Sequence, residues 1–212
     1  MKKTNTNRVN VLKGIMSSFL IGLFLSVCAQ VEPVKQGDYY AFSRSGEVFT
    51  PYHYTEVSAF REGIAWVNKG ALYGYVDTNL NAVTPFVYTD VAGFSEGFAA
   101  VSRDSAFGFI NNKGLEICAL QYHRVLNFHK GFAAILDSAG WNLLDSFGKE
   151  VFEDSFDHPP RVVSSRFIVV SRKGKWGVMN SRQQVVYPLK YDFISADGVA
   201  YLNEEKEYLG LL

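Results

Sequence analysis

The sequence predicts an all-β fold of tandem three-stranded meanders, about 34 residues each, stacked as an open β-solenoid-like array. A propeller-like closed ring is the alternative. Three observations carry the prediction. One residue pattern recurs about every 34 positions, the sign of a repeat architecture. No window shows a 3.6-residue apolar period flanked by helix caps. Aromatic residues make up 15% of the 212-residue chain, mostly Phe and Tyr, which favour strands. The apolar share of 48% and the charged share of 20% exclude a disordered chain. Lys+Arg and Asp+Glu balance at 21 each, which argues against a nucleic-acid footprint. The 18 Gly and 6 Pro carry no collagen period.

The chain opens with a basic stretch, Lys2, Lys3, Arg8 and Lys13, followed by an apolar run from Ile15 to Val27. That run is shorter than the roughly 20 residues of a membrane helix and suits the core of a secretory signal. Residues 1–29 are therefore read as a signal peptide, with cleavage before Gln30. Two other outcomes stand beside simple cleavage. One is a lipoprotein carrying its lipid on Cys28, although Val27 fits poorly before such a cysteine; the other is an uncleaved anchor. Membrane attachment is expected only through this segment. Beyond it, 17 basic residues face 21 acidic ones, and Cys118 is the single cysteine. An exported protein with one cysteine forms no internal disulfide and is held by packing. Cys118 reads as a small strand residue rather than a reactive thiol.

The repeat is anchored on an aromatic–Gly pair. It appears as Tyr73-Gly74, Phe107-Gly108 and Trp176-Gly177, as Trp141-Asn142 with the glycine lost, and as Tyr39-Tyr40 at the start. Fifteen residues after each anchor stands Tyr54, Tyr88, Tyr122, Phe156 or Tyr191. F-x-x-G recurs as Phe60–Gly63, Phe94–Gly97 and Phe128–Gly131. Units thus start near 39, 73, 107, 141 and 176, with a partial unit from Tyr208, so the array covers residues 30–212. Unit four carries an extra residue around His158-Pro159-Pro160 and lacks F-x-x-G.

Within a unit, Phe98–Ser102 reads as a first strand and Phe107–Asn111 as a second. Ser43, Asp77, Asn111, Asp145 or Asn180 then opens a type I turn. The side-chain oxygen bonds the backbone two residues on, and Gly at the end supplies positive φ. Leu115–Leu120 reads as a third strand, and a connector of about a dozen residues follows. The second strand is apolar at positions that point to both faces, so units must stack to bury them. The glycine after the anchor leaves room for a close neighbour. Glu204, Glu205, Lys206 and Glu207 are expected to protect the terminal strand edge.

Lys175-Trp176-Gly177-Val178-Met179-Asn180 and Tyr73-Gly74-Tyr75-Val76-Asp77 resemble the bacterial WG-repeat family. Pro85, Tyr88, Phe94, Gly97 and Ala99 fall where its unit has them, and the resemblance runs from 39 to 212. It departs at Asn142 and at the missing fourth F-x-x-G. The resemblance implies a repeat module and no catalytic residue.

Candidate chemistry is sparse. Gly93-Phe94-Ser95-Glu96-Gly97 matches the G-x-S-x-G nucleophile pattern. In sister units, however, the Ser95 position holds Arg61 or His129, and Gly97 belongs to the repeat. His53, His123, His129 and His158 occupy different columns and offer no third ligand for zinc. Asp90 and Asp192 read as turn-capping acids. Trp141 and Trp176 read as core and Trp66 as a strand residue. No catalytic residue, metal site or cofactor is expected. The expected role is a non-enzymatic binding or scaffolding module of the cell envelope, periplasmic or outer-membrane-associated, with another envelope protein as partner and no nucleic acid. The alternative is a glycan-binding or glycan-processing protein.

Overall fold

The computed structural model describes residues 30–164 and 166–211. The expected signal peptide and Cys28 lie outside them. The described chain holds six antiparallel sheets in sequence order and no helix. Sheet 1 is Val31–Gln36, Tyr39–Arg44 and Glu47–Val48; sheet 2 is Glu56–Val57, Ile64–Lys69 and Leu72–Asp77. Sheet 3 is Asp90–Val91, Phe98–Arg103 and Ala106–Asn111; sheet 4 is Arg124–Val125, Phe132–Leu136 and Trp141–Asp145. Sheet 5 has four strands, Arg161–Ser164, Phe167–Arg172, Lys175–Met179 and Val185–Tyr191. Sheet 6 is Phe193–Ile194, Val199–Leu202 and Glu205–Tyr208.

Stacking follows from side-chain alternation on the second strand. In sheet 3, Phe109 packs forward on sheet 4 while Ile110 packs back on sheet 2. Leu143 and Leu144 repeat that split one sheet later. Five apolar clusters result, each joining one sheet to the next.

The column fifteen residues on closes each unit. Tyr73 bridges Tyr88, Phe107 bridges Tyr122, Trp141 bridges Phe156, and Trp176 pairs with Tyr191. The partners Tyr88, Tyr122, Phe156 and Tyr191 are buried, whereas Trp141 and Trp176 are only half-buried. The deep core is thus the later column rather than the anchor. The turn chemistry is as read at four of the five positions; Ser43 instead lies within the strand Tyr39–Arg44, and its Oγ donates to Glu32 O. Asn111 Oδ1 accepts from Lys113 N at 2.9 Å and Leu115 N at 3.1 Å, and Gly114 has φ +75°. Asp77, Asp145 and Asn180 make the equivalent pairs.

Three further readings are corrected. Leu115–Leu120 is not a strand. Ile117 N reaches Phe109 O at 2.9 Å, and pairing resumes only at Phe107 with Tyr122. The chain makes five residue steps opposite two, so it bulges off the ladder and presses on Gly108. A Cβ there would lie 2.6 Å from Leu120 Cδ2 and 3.1 Å from Ala119 O. Cys118 sits in that segment, half-buried, and not on a strand. The third strand of sheets 2–4 is instead a two-residue strand in the preceding connector, such as Asp90–Val91 against Ser102 and Val101. Secondly, the first anchor is Tyr40, which bridges Tyr54 and faces Lys35 across the hairpin, so Ala41 takes the glycine place. Thirdly, the last hairpin pairs Tyr201 with Lys206, as Ser102 pairs with Phe107. The register of the final unit therefore starts at Lys206, and Tyr208 falls two places further on. The strand Glu205–Tyr208 is exposed along its whole length at the sheet edge.

Candidate functional site

The F-x-x-G connectors form a ladder along one side of the stack. In each, the two residues between the flanking bridge partners turn with positive φ, Glu62-Gly63, Glu96-Gly97 and Lys130-Gly131. Acidic side chains at the turn link successive units. Glu62 Oε2 accepts from Gly97 N at 2.8 Å. Glu96 accepts from Lys130 N and Gly131 N, both at 2.7 Å. The Gly131 amide, with the Lys130 amide and the His129 charge adding and partial burial opposing, lowers the Glu96 pKa. At Lys130 the ladder changes sign, and its ammonium reaches Val163 O at 2.6 Å.

The phenylalanine of each connector packs back on the preceding sheet. Phe60 lies 5.4 Å from Phe42, and Phe94 lies 5.3 Å from Tyr75. Phe128 stacks on Phe98 at 4.2 Å and meets Phe109 edge-on at 5.0 Å. At the next junction the positions of Phe98 and Phe109 are held by Phe132 and Leu143. There the connector reads His158-Pro159-Pro160-Arg161-Val162-Val163. Whether the step from Phe128 is taken as 34 or 35 residues, it lands on a valine.

The result is a groove of about 480 Å³ bounded by Phe132, Leu143, Val162, Val163, Pro159 and Leu126. Its titratable walls are His129, Lys130 and Arg161, with no carboxylate among them. Arg161 Nη2 donates to Ser195 O at 2.6 Å and Ile194 O at 3.2 Å, while its buried Nε–H has no acceptor. A larger cleft of about 830 Å³ between sheets 1 and 2 has mixed charge, Glu32 and Arg44, in its walls.

Asn142, where the glycine is lost, has a role the sequence did not disclose. Its Nδ2 donates to Phe152 O at 2.8 Å and Glu150 Oε2 at 3.1 Å, and its Oδ1 accepts from Phe152 N at 3.2 Å and Leu143 N at 2.8 Å. The buried amide thus stitches the bulged segment that elsewhere lies against bare glycine.

The residues weighed for chemistry do not converge. Ser95 Oγ donates to Phe128 O at 3.1 Å. His158 Nδ1 lies 2.9 Å from Ser171 Oγ, and its ring stacks on Trp176 at 5.2 Å. His53 Nδ1 lies 3.0 Å from Pro51 O. His123 donates its backbone N–H to Leu136 O, and His129 bridges Phe132. Asp192 pairs with Lys175 at 2.6 Å, and Asp90 Oδ1 accepts from Val91 N at 2.8 Å. Trp66 is half-buried, edge-on to Tyr73 at 5.6 Å. Burial raises the Cys118 thiol pKa and pushes Tyr122 up to about 12. Among the described residues no group of three His, Cys, Asp or Glu could hold a metal ion. Nor does any helix there have the length and apolarity to cross a membrane.

A family model described as WG containing repeat matches residues 42–73, 73–105, 107–138 and 176–200, more than half of the chain. The gap in the match falls on the unit that carries Asn142 and the groove. No curated protein matches the sequence. Among solved structures, Hsv2 of K. marxianus is similar at 13% identity and a TM-score of 0.44, over 72% of this chain and 56% of that one. Hsv2 of Kluyveromyces lactis is similar at 13% identity and a TM-score of 0.43, over 74% of this chain and 59% of that one. The chain therefore matches less than two thirds of the length of these structures.

Proposed function

The chain belongs to the WG-containing repeat family, and from that premise we propose that it is a non-enzymatic binding or scaffolding module exported to the cell envelope. The export reading rests on the basic and apolar pattern of residues 1–29. The observation that carries the binding reading is how the repeat's polar residues are used. Asp77, Asn111, Asp145 and Asn180 cap turns, and Glu62 and Glu96 tie connectors together. These side chains serve the fold. What differs from unit to unit is the connector, and at the fourth junction that difference opens a groove of about 480 Å³, within the usual range for ligand sites.

The array is proposed as open rather than ring-closed. Each apolar cluster joins consecutive sheets, and the first and last sheets share none of the five. A linear stack presents a long side surface, the usual binding face of repeat proteins.

The test is crosslinking and capture from envelope fractions with the chain from Gln30 onward as bait. The expected result is a reproducible protein partner that is lost when connector residues such as Lys130 and Arg161 are substituted. Enrichment of polysaccharide with no protein partner would overturn the reading in favour of glycan binding.

A further inference from the structure

We propose that the groove between sheets 4 and 5 takes the phenylalanine side chain of an acidic peptide segment from a partner protein. The ring would fill the place that Phe128 fills at the preceding junction. This rests on the binding-module reading and names the partner's chemistry.

At the second and third junctions a connector delivers a Phe onto the preceding sheet, and two residues later in Phe94-Ser95-Glu96 comes a carboxylate. Phe128 covers Phe98 and Phe109 so well that it is itself only 3% exposed. The fourth junction keeps the receiving surface, Phe132 over Leu143, but replaces the ring with valine. Val162 already covers Leu143, which is 1% exposed, so the open part of the receiving surface is the half-buried Phe132, and the Pro159-Pro160 pair fixes φ in the connector beside it. The space left is larger than one ring needs, so ring and flanking backbone both have room.

Charge selects the rest of the segment. His129, Lys130 and Arg161 line the groove and no acid does, with Asp197, next to the lining Ala196, the one carboxylate that acts on Arg161. The nearest carboxylate of the ladder, Glu96, is already held by the amides of Lys130 and Gly131. Described residues carry more acids than bases, so a basic rim is a local departure from the chain's own balance. An aromatic ring inserted there, followed by Glu or Asp, would reproduce the Phe-x-Glu order of residues 94–96. The ring would supply buried apolar area, and the rim charges would fix orientation.

The experiment uses methyl-labelled protein, the chain from Gln30 onward, and the capped pentapeptide Gly-Phe-Ser-Glu-Gly, the sequence of residues 93–97. Saturable shifts are expected at the methyls of Leu126, Val162 and Val163, with a dissociation constant on the order of 1 mM, as suits one inserted ring. Replacing the peptide's Phe by Ala should weaken binding at least about tenfold. Replacing its Glu by Gln should weaken it about threefold at low salt and less at high salt. Val162→Phe should fill the groove and abolish binding. Should that variant fail to fold, the methyl map and the two peptide variants decide alone. Shifts confined to another junction, equal binding of the Ala peptide, or no saturation by several millimolar would each overturn the proposal. Envelope capture without peptide binding would sink this inference and leave the module reading standing; peptide binding without any captured partner would do the reverse.

Discussion

The third and fourth junctions of the stack are each built on a long hairpin that packs on the next sheet, and they differ most in the connector between the sheets. Between sheets 3 and 4, Phe128 stacks on Phe98 and meets Phe109 edge-on, and the connector ends in a two-residue turn with both φ positive. Between sheets 4 and 5, Val162 is buried against Leu143 while Phe132 keeps a face on the groove. The neighbouring glycine is replaced in the same unit, and the Asn142 side chain supplies four hydrogen bonds in its stead. The comparison teaches that the repeat separates two tasks. Backbone closure is preserved at both junctions, through Phe107 with Tyr122 and Trp141 with Phe156. Side-chain filling is what varies.

The sharpest way to break the comparison is to truncate the filling residue on each side. Phe128→Ala removes a nearly enclosed ring and its aromatic contacts, and should destabilise by about 4 kcal/mol. Val162→Ala removes two methyls beside an existing space and should cost about 2 kcal/mol or less. Urea unfolding of the two variants measures the difference. Equal losses would mean that the fourth junction is as tightly filled as the third.

Asn142 gives the next largest effect. Asn142→Ala leaves the buried N–H and C=O of Phe152 without their side-chain partners, and should cost about 2 kcal/mol. Asn142→Gly restores the family residue but not the bonds, so it should not recover the loss. Thermal unfolding of both variants checks this. Recovery by glycine would show that the bulged segment can settle back onto bare backbone, as it does at Gly108.

What the sequence disclosed and what it hid divide along the same line. The Asx turns at Asn111 and Asp145 were legible because a local side chain bonds a local amide at fixed spacing. Stacking was legible from the apolar pair Phe109-Ile110, which alternation must send to opposite faces. The third strand was misplaced because Leu115–Leu120 is apolar enough to look extended. Its five steps opposite two on the partner are a matter of pairing, which composition does not record. The first and last anchors, Tyr40 and Lys206, were missed because an aromatic stood one or two places away and only hairpin register distinguishes them. The groove was hidden because a valine in place of a phenylalanine is unremarkable until the surface it should cover is seen. The expected signal at residues 1–29 lies outside the described residues.

The smallest effect tests whether the connector ladder contributes at all. Glu96 is exposed, so its bonds to the Lys130 and Gly131 amides are screened, and Glu96→Gln should cost only about 0.5 kcal/mol at neutral pH. The pH dependence gives it a signature. The folded-state pKa is lowered, chiefly by the Gly131 amide. The carboxylate's contribution is therefore complete above the unfolded value of about 4.3 and fades as pH falls through the folded value below it. Wild type and Glu96→Gln should differ in stability at pH 7 and converge in acid below that range. Glu62 has a single amide partner, Gly97. Glu62→Gln should therefore cost less than Glu96→Gln at neutral pH. A gap at Glu96 that persisted unchanged into strong acid would mean that the side chain acts by shape rather than by charge, and the ladder would then be packing and not electrostatics.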